Sequence, residues 1–178
     1  MPATFRTAAF TAAAALLSAC APHDAAPTDV AEVVSIPVYE ARSHATHLTG
    51  DQEVPPVDTK AVGEFVMKLS DDRQSISFRL IASNIIDVNQ AHIHRRAPGA
   101  LTGGVVVWLY PAASPPVLIP GRSSGVLSEG TFTSANFVGF MAGKTMAEFL
   151  TEVAAGRTYA NVHTVAHPAG EIRGDIIP

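Results

Sequence analysis

An all-β fold, an antiparallel sandwich or barrel with one short helix, is what this sequence predicts, and three observations carry it. Short stretches alternate apolar and polar residues with a period of two, Gly, Pro, Asp and Ser punctuate them at close intervals, and one segment alone shows helical spacing. The chain has 178 residues with 13 Gly, 13 Pro and one Cys, 47% hydrophobic and 16% charged, which excludes a disordered, collagenous or disulfide-stapled protein. Its length suits one domain of ordinary size. Net charge is −4 and the longest basic cluster is Arg95-Arg96, so the electrostatic footprint of a nucleic-acid binder is absent.

Residues 1–19 read as a secretory signal: Arg6 is the sole charge, and the apolar run that follows, at about ten residues, is too short to span a bilayer. Its end, Leu17-Ser18-Ala19-Cys20, resembles the lipobox of bacterial lipoproteins. That resemblance implies a multiply acylated Cys20 as first mature residue, because one acyl chain anchors only marginally. It also implies a lipid-anchored protein of the bacterial cell envelope, and Ala21 rather than Asp after the cysteine points to the periplasmic face of the outer membrane. All 13 glycines lie from Gly50 onward, and residues 21–37 are small and acidic with Pro22, Pro27 and Pro37. Such a segment buries no core, so residues 20–45 are expected to be the lipidated Cys and a flexible tether, and 46–178 the folded domain.

Within the domain the clearest hairpin joins 64–69 to 75–81, where Ile76, Phe78 and Leu80 alternate with Ser75, Ser77 and Arg79. Further strands are expected at 89–95, 104–110, 125–133, 158–165 and 171–177. Val105-Val106-Val107-Trp108-Leu109 is apolar on both faces and reads as a central strand, whereas 111–124 holds four prolines and reads as loop. The helix is expected over about 146–155. Thr145 and Glu148 form a capping box, Met146, Phe149, Leu150 and Val153 follow at i, i+3, i+4 and i+7, and Gly156 is placed to end it.

His92-Ile93-His94 lies in an expected strand, where alternation puts both imidazoles on one face, roughly 6.5–7 Å apart along the chain. Two imidazoles so placed can grip one metal ion. His163 is the candidate third ligand, sharing a face with Tyr159 and Asn161, and His167 in the loop that follows is a possible fourth. Three imidazoles with few carboxylates suit copper or zinc better than calcium or magnesium. Alternatively these side chains hydrogen-bond to backbone or to Asn161, Tyr159 and Glu171 and hold strands together. His44 and His47 sit in an irregular segment and read as surface residues. Arg95-Arg96 reads as a solvated strand end.

The stretch Leu48-Thr49-Gly50-Asp51-Gln52-Glu53-Val54-Pro55-Pro56-Val57, then Gln90-Ala91-His92-Ile93-His94, and finally Tyr159-Ala160-Asn161-Val162-His163-Thr164 with Pro168-Ala169-Gly170-Glu171-Ile172-Arg173-Gly174-Asp175-Ile176, resembles the CHRD (chordin) domain family. The resemblance implies an immunoglobulin-like Greek-key sandwich or barrel, distantly similar to copper/zinc superoxide dismutase. By that likeness His92, His94 and His163 match copper ligands, and Arg173 resembles the arginine that guides the anion. No histidine lies between His94 and His163, so the bridging imidazole and zinc-loop ligands have no counterparts, and one Cys forbids the structural disulfide. No catalytic residue is expected: no nucleophile has a base-bearing motif and no sequence feature fixes two carboxylates together. The leading expectation is a non-catalytic, membrane-anchored domain that binds a transition metal, copper before zinc. An adhesion module for protein partners with purely structural histidines comes second, and a dismutase-like oxidoreductase third.

Overall fold

The structure is a computed structural model and describes residues 42–177; the expected signal segment, Cys20 and most of the expected tether lie outside the described residues. Seven strands and one helix follow in order: β1 (Ser43–Thr49), β2 (Val62–Leu69), β3 (Ser75–Arg96), β4 (Gly103–Tyr110), β5 (Ile119–Thr133), α1 (Met146–Ala154), β6 (Thr158–Thr164) and β7 (Ile172–Ile176). The antiparallel strands run β2-β1-β7-β6-β3, and β3 returns to β2, which closes a barrel.

The length of β3 makes this closure possible. Positions 76–83 pair with β2 and positions 88–95 with β6, while β5 and β4 add to the first and second parts respectively. The sequence predicts two strands here, 75–81 and 89–95. The chain instead continues as one strand, because Asn84 (φ 58°) and Asp87 (φ 54°) take left-handed positions at register shifts between Ala82 and Ile85 and between Ile86 and Val88. Asn and Asp tolerate that region better than other side-chain-bearing residues, so the strand bends without ending.

Two strand starts and one strand's place in the sheet also differ from expectation. β1 is a full strand starting at Ser43, ahead of the boundary drawn at 46, and it pairs with β2 over seven positions. Leu48 is its one large apolar residue, so periodicity does not announce it. β5 begins at Ile119, inside the expected loop; it pairs with β3 alone among the described residues, and an edge strand tolerates Pro120. β4, expected to be central, likewise pairs as a strand with β3 alone among the described residues, the Val106 carbonyl accepting Val138 N–H at 3.0 Å and the Leu109 carbonyl accepting Ser128 Oγ–H at 2.6 Å.

The helix forms as expected. Glu148 N–H donates to Thr145 Oγ1 at 3.3 Å, the Thr145 N–H donates to Glu148 Oε2 at 2.8 Å, and Met146, Phe149, Leu150 and Val153 are buried. Phe149 meets Phe132 of β5 edge-on at 5.8 Å between centroids, which joins α1 to the barrel core. Arg95 and Arg96 are not a solvated end. Arg95 Nε lies 2.8 Å from Glu152 Oε2, shared with Arg157 Nε at 2.6 Å, and Arg96 Nη2 lies 2.7 Å from Asp175 Oδ2. Long-range packing returns α1 and β7 to the end of β3, which local sequence does not reveal.

Candidate metal centre

The alternation of β3, β6 and β7 sorts their side chains into two sets. Ala91, Ile93, Ala160, Val162 and Ile172 face the core and are all 0% exposed. In register on the other face, His92 opposes Asn161, His94 opposes Tyr159, Gln90 opposes His163, and Asn161 opposes Arg173. This second face is also buried: His92, His94 and His163 are 2%, 8% and 5% exposed. One ring nitrogen from each of these three lies within 4.8 Å of the other two, so the structure brings together the three histidines of the sequence pattern.

Backbone carbonyls set the tautomers. His163 Nδ1 lies 3.0 Å from the Pro168 carbonyl and His94 Nδ1 lies 2.9 Å from the Gly103 carbonyl. A carbonyl only accepts, so in each neutral ring Nδ1 carries the proton and Nε2 holds a free lone pair. His92 Nδ1 is 3.2 Å from His163 Nε2. In the metal-free protein that contact is His92 Nδ1–H donating to His163 Nε2. The same spacing is close to that of two nitrogens bound at 2.0–2.1 Å to one tetrahedral ion, about 3.4 Å. His92 Nε2 and His94 Nε2 are buried without any partner, and so are Asn161 Oδ1 and Arg173 Nη1. Four of the six such atoms among the described residues therefore sit on this one face, a concentration that structural hydrogen bonding does not explain.

Burial, and secondarily the charges His163 and His94 would carry, pushes His92 down to about 3. Burial dominates at His163 too, lowering it to about 4 against the favourable bond to Pro168. His94 is lowered by burial, with its Gly103 bond and, more weakly, the neighbouring Asn161 side chain opposing and the Arg173 charge adding. All three are neutral lone-pair donors near pH 7, the state a metal requires. Trp108 on β4 meets His92 edge-on with centroids 4.3 Å apart, and Tyr159 stacks on His94 at 4.9 Å and 6°. Arg173 holds its guanidinium 3.6 Å from the Tyr159 centroid and donates through Nη2 to the Leu101 carbonyl at 2.8 Å. Glu171 accepts from Thr59 on one oxygen and from Thr164 on the other, each at 2.7 Å.

Glu53 is buried beside Asn161, 3.5 Å from its Nδ2, and is pushed up by burial against the Arg173 charge. Gly170 makes that approach possible. Its φ is +127° and a Cβ there would collide with Glu53 Oε1 and Asn161 Nδ2. His167, the possible fourth ligand, is not in the three-histidine group; it lines a separate cleft with Lys60 and Arg122. His44 and His47 lie in β1, the first half-buried 2.8 Å from Thr46 Oγ1 and the second exposed 3.4 Å from Glu64 Oε2. Trp108 and the carbonyls of Gly103 and Pro168 carry no sequence signal of a site, since carbonyls belong to every residue and Trp108 reads as ordinary strand core.

Residues 44–176 match the family model of the CHRD domain. No curated protein and no solved structure matches the chain.

Proposed function

The chain belongs to the CHRD family, and from that premise we propose that its domain is a non-catalytic transition-metal binder that takes copper, with zinc as the alternative, through His92, His94 and His163. The observation that carries this reading is the donor set: three buried neutral imidazoles converge, His163 Nε2 faces His92 Nδ1 at 3.2 Å, His94 Nε2 is buried without a hydrogen-bond partner, and the Nδ1 protons of His94 and His163 are fixed on carbonyls. Second partners of this kind orient metal-binding histidines and sharpen their basicity. An all-nitrogen set without a carboxylate in the group suits copper or zinc, and the intrinsic affinity order favours Cu(II). Copper, when bound, supplies a one-electron redox couple. The chain's own residues hold the rings: Gly103 and Pro168 fix two tautomers, Tyr159 stacks against His94, and Trp108 limits the movement of His92.

The same proposal places the domain in the bacterial cell envelope, held by acylated Cys20 at the periplasmic face of the outer membrane through a tether. The lipobox-like Leu17-Ser18-Ala19-Cys20 and the small, Pro-bearing segment after it support that reading. Cys20→Ser is expected to release the protein from membranes and abolish incorporation of a palmitate analogue; unchanged membrane fractionation would contradict the anchor.

Trp108 is the sole tryptophan, so its fluorescence reports directly on His92. Saturable quenching by one equivalent of Cu(II), a nitrogen-rich Cu(II) EPR spectrum, and loss of both in His92→Ala and His94→Ala are the expected results. Removing a ligand should weaken binding beyond the 10–100-fold that loss of a supporting partner costs. Wild-type protein that retains neither copper nor zinc, or variants that retain either metal unchanged, would overturn the metal reading.

A further inference from the structure

The structure assigns a second binding site, independent of the three histidines, in a cleft of ≈ 470 Å³ beside the bend of β3: we infer that it takes an organic phosphate with an apolar body. The bend itself builds the cleft. Asn84 and Asp87, the two left-handed residues of β3, both line it, and the register shifts on either side of Ile85-Ile86 set off this pair, of which Ile85 is buried and Ile86 points outward, 46% exposed. Bulges that re-aim a side chain, and backbone outliers of this type, gather at binding sites. Val165, 60% exposed, lines the same cleft, and its N–H is bonded to the Asp87 carbonyl at 3.0 Å, so the two apolar side chains are fixed on one framework.

The charges of the lining are unequal in what they leave available. Glu171 is engaged on both oxygens, by Thr59 and Thr164, and Asp87 on one, its Oδ1 accepting the Gly121 N–H at 2.6 Å. The basic side chains are less engaged. Lys60 has no ion pair among the described residues, Arg122 makes only a 3.5 Å contact to Asn84 Oδ1, and the His167 ring has no partner among them. Two permanent cations and an imidazole from three separate segments thus line one concavity of a chain whose net charge is −4. Donors carried by three separate segments suit a tetrahedral phosphate, which offers acceptors on several sides. Ile86 and Val165 supply a surface for an alkyl or acyl body. A phospholipid headgroup and a soluble phosphate ester share this chemistry.

The test uses the full chain carrying Cys20→Ser, so that an acyl anchor contributes nothing, with octyl phosphate, inorganic phosphate and octanol as calorimetric probes. Octyl phosphate is expected to bind saturably and octanol not at all. The double variant Lys60→Gln/Arg122→Gln should raise the octyl phosphate dissociation constant at least tenfold, and Ile86→Ser should weaken octyl phosphate while leaving inorganic phosphate unchanged. All three substitutions are at exposed side chains, so melting temperatures near wild type and intact Cu(II) quenching of Trp108 check that the fold persists. Absence of saturable octyl phosphate binding, or equal binding by the double variant, overturns the site. Co-sedimentation with phosphatidylglycerol vesicles that the double variant loses assigns the phosphate to a bilayer lipid; octyl phosphate binding without co-sedimentation assigns it to a soluble ester.

Discussion

Ile93 and its neighbours His92 and His94 lie on one strand at nearly the same depth, yet the two faces they serve are built on opposite principles. On the core face Ile93, Ala160, Val162 and Ile172 are wholly buried and have no polar atom to satisfy. Burying a side chain such as Ile93 contributes about 1.5–3 kcal/mol to stability. On the other face the burial is nearly as complete, but His92 Nε2, His94 Nε2, Asn161 Oδ1 and Arg173 Nη1 lack partners. Each such atom costs about 1–3 kcal/mol of desolvation. A face that only held strands together would not concentrate that cost. One side of β3 stabilises the barrel, and the other draws on that stability to keep lone pairs dry and aimed.

The contrast breaks most readily at Ile93. Ile93→Ala should destabilise the protein by about 2–5 kcal/mol in denaturant titrations while the folded fraction keeps its copper stoichiometry, whereas His92→Ala should do the reverse. If both substitutions cost stability equally and metal equally, the division between the faces fails. Acid supplies the next largest effect. In the metal-free protein His92 is held near 3 and His163 near 4, below the 6.5 of an unfolded histidine. The unfolded chain therefore binds more protons across that window, so stability is complete above pH 6.5 and falls as the pH decreases toward 4. Between pH 7 and pH 4.5 the loss should reach roughly 2.5 kcal/mol for each imidazole at most, and a denaturant midpoint that does not move between those pH values would remove the buried neutral histidines from the account. Gly170→Ala tests the polar face through its backbone: the positive φ and the collision with Glu53 predict a loss of about 1–3 kcal/mol together with weaker copper binding, because the Pro168 carbonyl that orients His163 lies two residues away. Thr145→Ala, remote from both faces, sets the baseline. Loss of the α1 cap should cost about 1 kcal/mol by thermal melting and leave metal retention untouched.

Much of the site is legible in the sequence. His92 and His94 share a face because strand alternation requires it, and α1 is written in its capping box and apolar spacing. The third histidine was a candidate from its strand and from the family resemblance, and pairing Gln90 with His163 made it a neighbour. Other features were hidden for definite reasons. β1 carries one large apolar residue and is a strand only because β2 lies beside it. The bend at Asn84 and Asp87 looks like the end of a strand to local pattern, since only pairing on both sides shows that the chain continues. His167 follows His163 so closely that spacing admits it as a ligand, but the turn closed by Gly170 N–H on the His167 carbonyl goes with a side chain that lines the other cleft.

By itself the sequence determined the class of fold, the helix, and which imidazoles could face one another, because these follow from short-range periodicity and the chemistry of each side chain. Only the tertiary structure decided that β3 joins both parts of the barrel, that the carbonyls of Gly103 and Pro168 fix the tautomers, and that Arg173 lies over Tyr159. Those outcomes depend on contacts between residues far apart in the chain, where the partner of a polar atom is set by packing and has no local signature.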